Sequence, residues 1–168
     1  MSGATERHTL TVLVDNEAGV LARVVGLFSG RGYNIESLTV AEVDPMARTS
    51  RITIVTSGTP AVIEQIEAQL VRLVPTHRVT NWTSAKAGIE REMALIKVAG
   101  TGDKRMEALR MADAFRARAV DTTHTSFVFE ITGAPAKIDS FIELMRPLGL
   151  VDVSRTGVAA ISRGPEAM

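Results

Sequence analysis

The chain passes twice through one element order, strand, helix, strand, strand, helix, strand, within 168 residues, and few folds accept that order twice. In the first pass Thr9–Val14 alternates, with Leu10, Val12 and Val14 set against Thr9, Thr11 and Leu13, the period of a half-buried strand. After Gly19, the residues Val20, Leu21, Val24, Val25 and Phe28 follow a 3.6-residue period and predict an amphipathic helix, which Gly30 and Gly32 stop. A strand is expected over Tyr33–Ala41, a turn at Asp44 and Pro45, and a further strand over Ser50–Thr56. Thr59 is placed to cap, and Pro60 to open, a second helix whose apolar side is Ile63, Ile66, Leu70 and Leu73. Arg78–Thr83 closes the pass as a short strand.

The segment Thr83–Gly88, TSAKAG, is small and polar and reads as a linker. The expected division is a domain over 1–83, a linker over 84–90 and a second domain over 91–168. In the second pass Glu92–Ala99 is a strand, and Asp103 to about Arg118 a helix with Ala108, Leu109, Ala112 and Phe115 on one side. Ala119–Thr122 is a short strand, and Ser126–Thr132 alternates cleanly. Pro135 opens a helix carrying Ile138, Phe141, Ile142 and Met145, and Leu148–Ile161 supplies one or two closing strands. The halves share this order but little residue identity.

The implied fold class is α+β: two tandem ferredoxin-like βαββαβ domains, each an antiparallel sheet with both helices on one face. A unit of about 80 residues buries only roughly 60 to 65% of its unfolded surface. The free sheet face and the sheet edge are therefore expected to meet the sister domain or another chain, and an oligomer is the expectation.

Charge and cysteine content remove several classes of function. Nineteen basic residues balance nineteen acidic ones without a like-charge block, so nothing points to nucleic acid or an anionic membrane. The absence of cysteine removes disulfides, thiolate zinc and iron–sulfur ligation, and thiol nucleophiles. His8, His77 and His124 are scattered without metal-ligand spacing, and no Ser/His/Asp triad can be read. Met1–His8 has no apolar signal core, and no run approaches the roughly 20 apolar residues of a membrane span, so a soluble protein of the cytoplasm, or of an organelle, is expected.

Two turns merit a functional reading. Asp15–Gly19 lies where a strand ends and a helix begins, so backbone N–H groups around Ala18–Leu21 and the positive end of the helix dipole could receive an anion such as a carboxylate. Gly19 would admit close approach, and Asn16 offers both a donor and an acceptor. The plainer account, favoured by chemistry alone, is that Asn16 or Glu17 caps the helix and Gly19 only turns the chain. Asn34, before Ile35, is similarly either a ligand-facing residue at an edge strand or a turn-favouring Asn after glycine. Gly100, Gly102, Asp103 and Lys104 imitate half a dinucleotide fingerprint, but Arg105 stands where glycine is needed, and a helix start is the simpler reading. Gly26 and Gly30 suggest close helix packing and termination, and Trp82 is expected to pack between the domains.

The segment LVDNEAGVLARVVGLFSGRGYNIESLTV resembles the first ACT domain of the small, regulatory subunits of acetolactate synthase (acetohydroxyacid synthase). The likeness extends to RITIV at Arg51–Val55, REMALIKV at Arg91–Val98 and the closing Ser162, Arg163 and Gly164, and so covers nearly the whole chain. RGYNIESL at Arg31–Leu38 is its most specific part. The resemblance implies a non-catalytic subunit, a homodimer through its ACT domains, and a small amino acid bound between chains. The effector is expected to be valine, with leucine or isoleucine as alternatives. Asn16, Gly19, Val20 and Leu21 would receive it from one chain and Asn34 and Ile35 from its neighbour. The partner would be the large catalytic subunit of acetolactate synthase, carrying thiamine diphosphate, FAD and magnesium, with no cofactor in this chain. A free-standing amino-acid sensor governing another enzyme or a transcription factor is the alternative reading.

Overall fold

A computed structural model describes residues 3–168, which separate into two compact units, 3–89 with 158–168 and 90–157. The first unit contains β1 (Glu6–Asp15), α1 (Val20–Gly30), β2 (Ser37–Asp44), β3 (Thr49–Gly58), α2 (Pro60–Arg72), β4 (Thr76–Asn81) and a single helical turn, α3 (Trp82–Ala85). Its antiparallel sheet runs β2-β3-β1-β4, so β1 and β3 are central and β2 is an edge. Leu10, Val12 and Val14 of β1, Ile52 and Ile54 of β3, Val20, Val24 and Phe28 of α1, and Ile63, Ile66 and Leu70 of α2 form one buried core. Each such side chain contributes about 1.5 to 3 kcal/mol by leaving water, and together they hold both helices against one face of the sheet. Thr59 caps α2 by accepting from the Val62 N–H, with Pro60 in the first turn.

The opposite face of this sheet is not the bare surface its topology suggests. Thr9, Thr11 and Thr53 are buried there, and the Thr11 and Thr53 hydroxyls lie 3.3 Å apart. The Trp82 indole N–H donates to Thr11 Oγ1 at 2.7 Å. Trp82 thus spends its polar handle inside the first unit. The expected linker is likewise partly helical, because Asn81 accepts from the N–H groups of Thr83 and Ser84 and starts α3. Lys86 then takes a left-handed conformation.

The second unit is built on β5 (Gly88–Ala99), α4 (Gly102–Ala114), β6 (Arg118–Thr122), β7 (Ser126–Gly133), α5 (Pro135–Met145) and β8 (Leu150–Arg155). The path through its sheet is β6-β7-β5-β8. Ala108 and Ala112 of α4, Ile138, Phe141, Ile142 and Met145 of α5, and Ile96, Phe127, Phe129 and Ile131 of the strands make its core. The helix expected to reach Arg118 ends at Ala114, because Arg116 is left-handed and the Ala117 N–H folds back to the Ala112 carbonyl at 2.8 Å.

Two further expectations change in detail. The strand sought from Tyr33 begins only at Ser37. Residues 33–36 are held instead by the Thr56 hydroxyl donating to the Asn34 carbonyl at 2.6 Å and by the Glu36 N–H donating to Val55 at 2.8 Å. Gly26 faces open space, with no atom within 4 Å of where a Cβ would stand, so it serves no close helix contact. The residues after Gly157 group with the first unit, and β9 (Ala159–Ser162) pairs with β5. There the Val158 N–H donates to Ser37 Oγ at 3.0 Å, Thr39 Oγ1 donates to the Val158 carbonyl at 3.1 Å, and the Arg163 N–H donates to the Ala87 carbonyl at 2.9 Å.

Candidate functional site

The turn between β1 and α1 is pinned by its backbone. The Asp15 N–H donates to the Pro75 carbonyl at 3.2 Å and the Asn16 N–H to the Arg48 carbonyl at 2.7 Å, while His77 Nε2 donates to the Asp15 carboxylate. A register shift between Leu13 and Val14 turns the end of β1 away from a regular ladder with β4. Beyond this strap, Gly19 occupies the N-cap of α1 at φ 86° and ψ −9°, and no side chain caps the helix. The capping role open to Asn16 or Glu17 is therefore not taken up. The Gly19 carbonyl accepts from Arg23, but the N–H groups of Ala18, Gly19, Leu21 and Ala22 find no acceptor among the described residues.

That arrangement is an exposed cluster of backbone donors at the positive end of a helix, approached over a glycine whose absent side chain leaves open space. It can hold a carboxylate. Around it, Asn16 is exposed with its amide uncommitted among the described residues, and Leu21 is 42% exposed and can meet an apolar ligand group. Val20 differs from its neighbours in the turn: its side chain is 3% exposed and belongs to the first core, so only its backbone faces the turn.

Asn34 and Ile35 lie elsewhere. Asn34 is exposed, and Ile35 is half-buried against the first core. Strand register measures how far this pair sits from the turn. Asp15 pairs with Thr49 and Val14 with Ser50, whereas Asn34 is bonded to Thr56, which pairs with His8. Six residues of extended chain separate Ser50 from Thr56, about 20 Å at 3.3 Å per residue. The chain therefore brings Asn16, Gly19, Val20 and Leu21 together and sets Asn34 and Ile35 at the other end of the sheet. One copy cannot close a small-molecule pocket from both groups.

Sequence reasoning did not find Arg48, Pro75 and His77, which fix the turn, or Thr56, which holds Asn34. Arg48 and Pro75 act through backbone carbonyls and His77 from the neighbouring strand β4, and no local pattern marks them. Among the described residues no three His, Asp or Glu side chains converge as a metal site. No described helix is long and apolar enough to cross a membrane.

Comparison with known proteins bears on both units. Residues 10–78 match the family described as the AHAS small subunit-like ACT domain, and residues 91–164 the family described as the small subunit of acetolactate synthase. The acetolactate synthase small subunit of Haemophilus influenzae is 45% identical over 159 residues, spanning 94% of this chain and 96% of that protein. The acetolactate synthase isozyme 3 small subunit of Salmonella typhimurium is 44% identical over 163 residues, 96% of this chain and 99% of that one. The crystal structure of the acetolactate synthase small subunit from Thermotoga maritima superposes with a TM-score of 0.81 at 37% identity, covering 96% of this chain and 99% of its own. With identity of that level sustained from end to end and both units matched, the chain belongs to the family of acetolactate synthase small subunits, and its N-terminal region is an ACT domain.

Proposed function

We propose that this chain is the non-catalytic regulatory subunit of acetolactate synthase, that it activates the large catalytic subunit, and that it confers feedback inhibition by valine. The observation that carries the effector assignment is the uncapped, left-handed Gly19 start of α1, which leaves backbone donors free at a helix N-terminus. Valine offers a carboxylate to those donors, an ammonium to the Asn16 amide oxygen and a branched side chain to Leu21. We assign this binding to the N-terminal ACT domain, over 1–83. Asn34 and Ile35 complete the pocket from a second copy, and the opposite-end placement of the two residue groups supports that division of labour. The unpaired edge of β2 supports a homodimer formed there.

A pocket of this kind needs about 4 to 7 kcal/mol for millimolar to ten-micromolar affinity. Regulation needs a further difference of about 1 to 3 kcal/mol between two states of the assembly. In this reading thiamine diphosphate, FAD and magnesium reside in the catalytic partner, and the complex works in the cytoplasm. Calorimetric titration with valine, leucine and isoleucine, with molar mass followed by light scattering, tests it. Saturable heat with valine from a dimer is the expected result. No heat from any of the three would overturn the sensor reading.

A further inference from the structure

On the helical side of the first unit, α1 and α2 enclose a groove lined by Arg23, Leu27, Arg31, Gln69, Arg72 and Leu73. Arg23, Leu27 and Arg31 recur at four-residue steps along one face of α1 and its C-terminal cap, and Gln69, Arg72 and Leu73 come from the last turn of α2 and its cap. Leu27 and Leu73 are half-buried against the first core and form an apolar floor. Three guanidiniums converge there and no carboxylate lines the groove. Arg23 donates to the Val74 carbonyl at 3.1 Å and lies 3.8 Å from Glu17, but Arg31 and Arg72 form no ion pair among the described residues. A cation at each helix C-terminus complements the dipole; that accounts for one charge per helix, not for their meeting over a groove without acids. The side-chain oxygen of Gln69 is also buried without a hydrogen-bond partner.

We propose that this groove receives an acidic segment of the catalytic subunit, an inference that rests on reading the chain as a regulatory subunit. Carboxylates on the segment pair with Arg31 and Arg72, with the bidentate geometry that guanidinium favours. An apolar side chain covers Leu27 and Leu73. A small free anion would answer the charges alone and leave the apolar floor uncovered, which is why a protein segment is the better fit. The groove shares no residue with the effector turn at Asn16–Leu21, so docking and effector binding can be separated.

The test reconstitutes the full-length chain with the catalytic subunit of the same enzyme and measures the concentration giving half-maximal activation. Arg31→Glu with Arg72→Glu should raise that concentration about tenfold, and Arg31→Gln with Arg72→Gln about threefold. Both should flatten its dependence on salt, while the thermal melt and the valine titration stay at wild-type values. Half-saturation by both variants within about twofold of wild type, with normal melting, overturns the groove assignment alone. A saturable heat with inorganic phosphate that the variants lose, with activation unchanged, overturns it in favour of a small anion. Failure of the unaltered chain to activate at all overturns the regulatory reading and this inference with it.

Discussion

Replacement of Gly19 separates what this residue does for the fold from what it does for a ligand. At φ 86° any side chain is strained, by about 1 to 2 kcal/mol for a residue forced into the left-handed region, and Asn and Asp enter that region more readily than most. No atom lies within 4 Å of the position a Cβ would take, so there is no steric addition. Gly19→Asn and Gly19→Asp should therefore both cost about 1 kcal/mol, a fall in Tm of about 2 to 4 °C for a chain of this length. They differ in charge and hardly in shape. If the valine carboxylate sits against the α1 N-terminus, the aspartate carboxylate comes within about 4 Å of it, a repulsion between about 1 kcal/mol in water and about 4 kcal/mol near a protein surface. The ligand ammonium offsets part of this. Gly19→Asp should bind valine about 5 to 100 times more weakly than Gly19→Asn, at equal thermal stability. Calorimetry on the two proteins, alongside melts by circular dichroism, supplies both numbers. Equal valine affinity for the two variants would refute placement of the carboxylate at this helix end.

Two other predictions address the supporting structure. In the second unit Arg155 grips the buried Glu92 carboxylate with two hydrogen bonds, 2.7 and 2.8 Å, and Asp139 with a third at 2.7 Å. Arg155→Met should cost about 3 kcal/mol in urea unfolding by stranding Glu92, and adding Glu92→Met should restore most of it; equal instability of the single and double variants would sink that account. The hydrogen bonds that Arg155 donates to Glu92, and then to Asp139, hold its guanidinium above its ordinary range against the opposing effect of burial. A raised native value leaves the stabilisation complete at lower pH and removes it only as pH climbs through that value, so the wild-type advantage over Arg155→Met should be level from about pH 7 to about pH 10. Thr56→Val keeps the side-chain shape while deleting the donor to the Asn34 carbonyl. It should lower stability by about 1 kcal/mol and weaken valine binding several-fold, and a stability loss with unchanged valine affinity would separate Asn34 from the site.

Periodicity located every helix with a wide apolar face, because Val20, Val24 and Phe28, or Ile63, Ile66 and Leu70, are buried by the same geometry that spaces them. Thr59 and Pro60 were legible because a cap is a local event. Asn81 is equally a cap, but the small polar residues after it look the same in a linker, and only the burial of Trp82 and its bond to Thr11 distinguishes the two. The delayed start of β2 was hidden for a similar reason: Ile35 and Leu38 satisfy a strand pattern, while the bond that keeps residue 34 off the ladder comes from Thr56 in another strand. At the candidate site, the sequence left open whether Asn16 or Glu17 caps α1, and backbone conformation answers only that point: no side chain caps the helix. The 20 Å separation of Asn34 from the turn lies in strand register, which no residue pattern states.

The return of Val158 to Ser37 and Thr39 makes the first unit discontinuous along the chain. During synthesis its edge strand emerges early and waits for these two hydrogen bonds until the whole of the 90–157 unit has followed, several seconds later at ribosomal rates. For that interval the nascent β2 is less fully secured than in the finished protein. A polypeptide cut after the first βαββαβ pass would carry this immature edge permanently, so its self-association need not report that of the full-length chain.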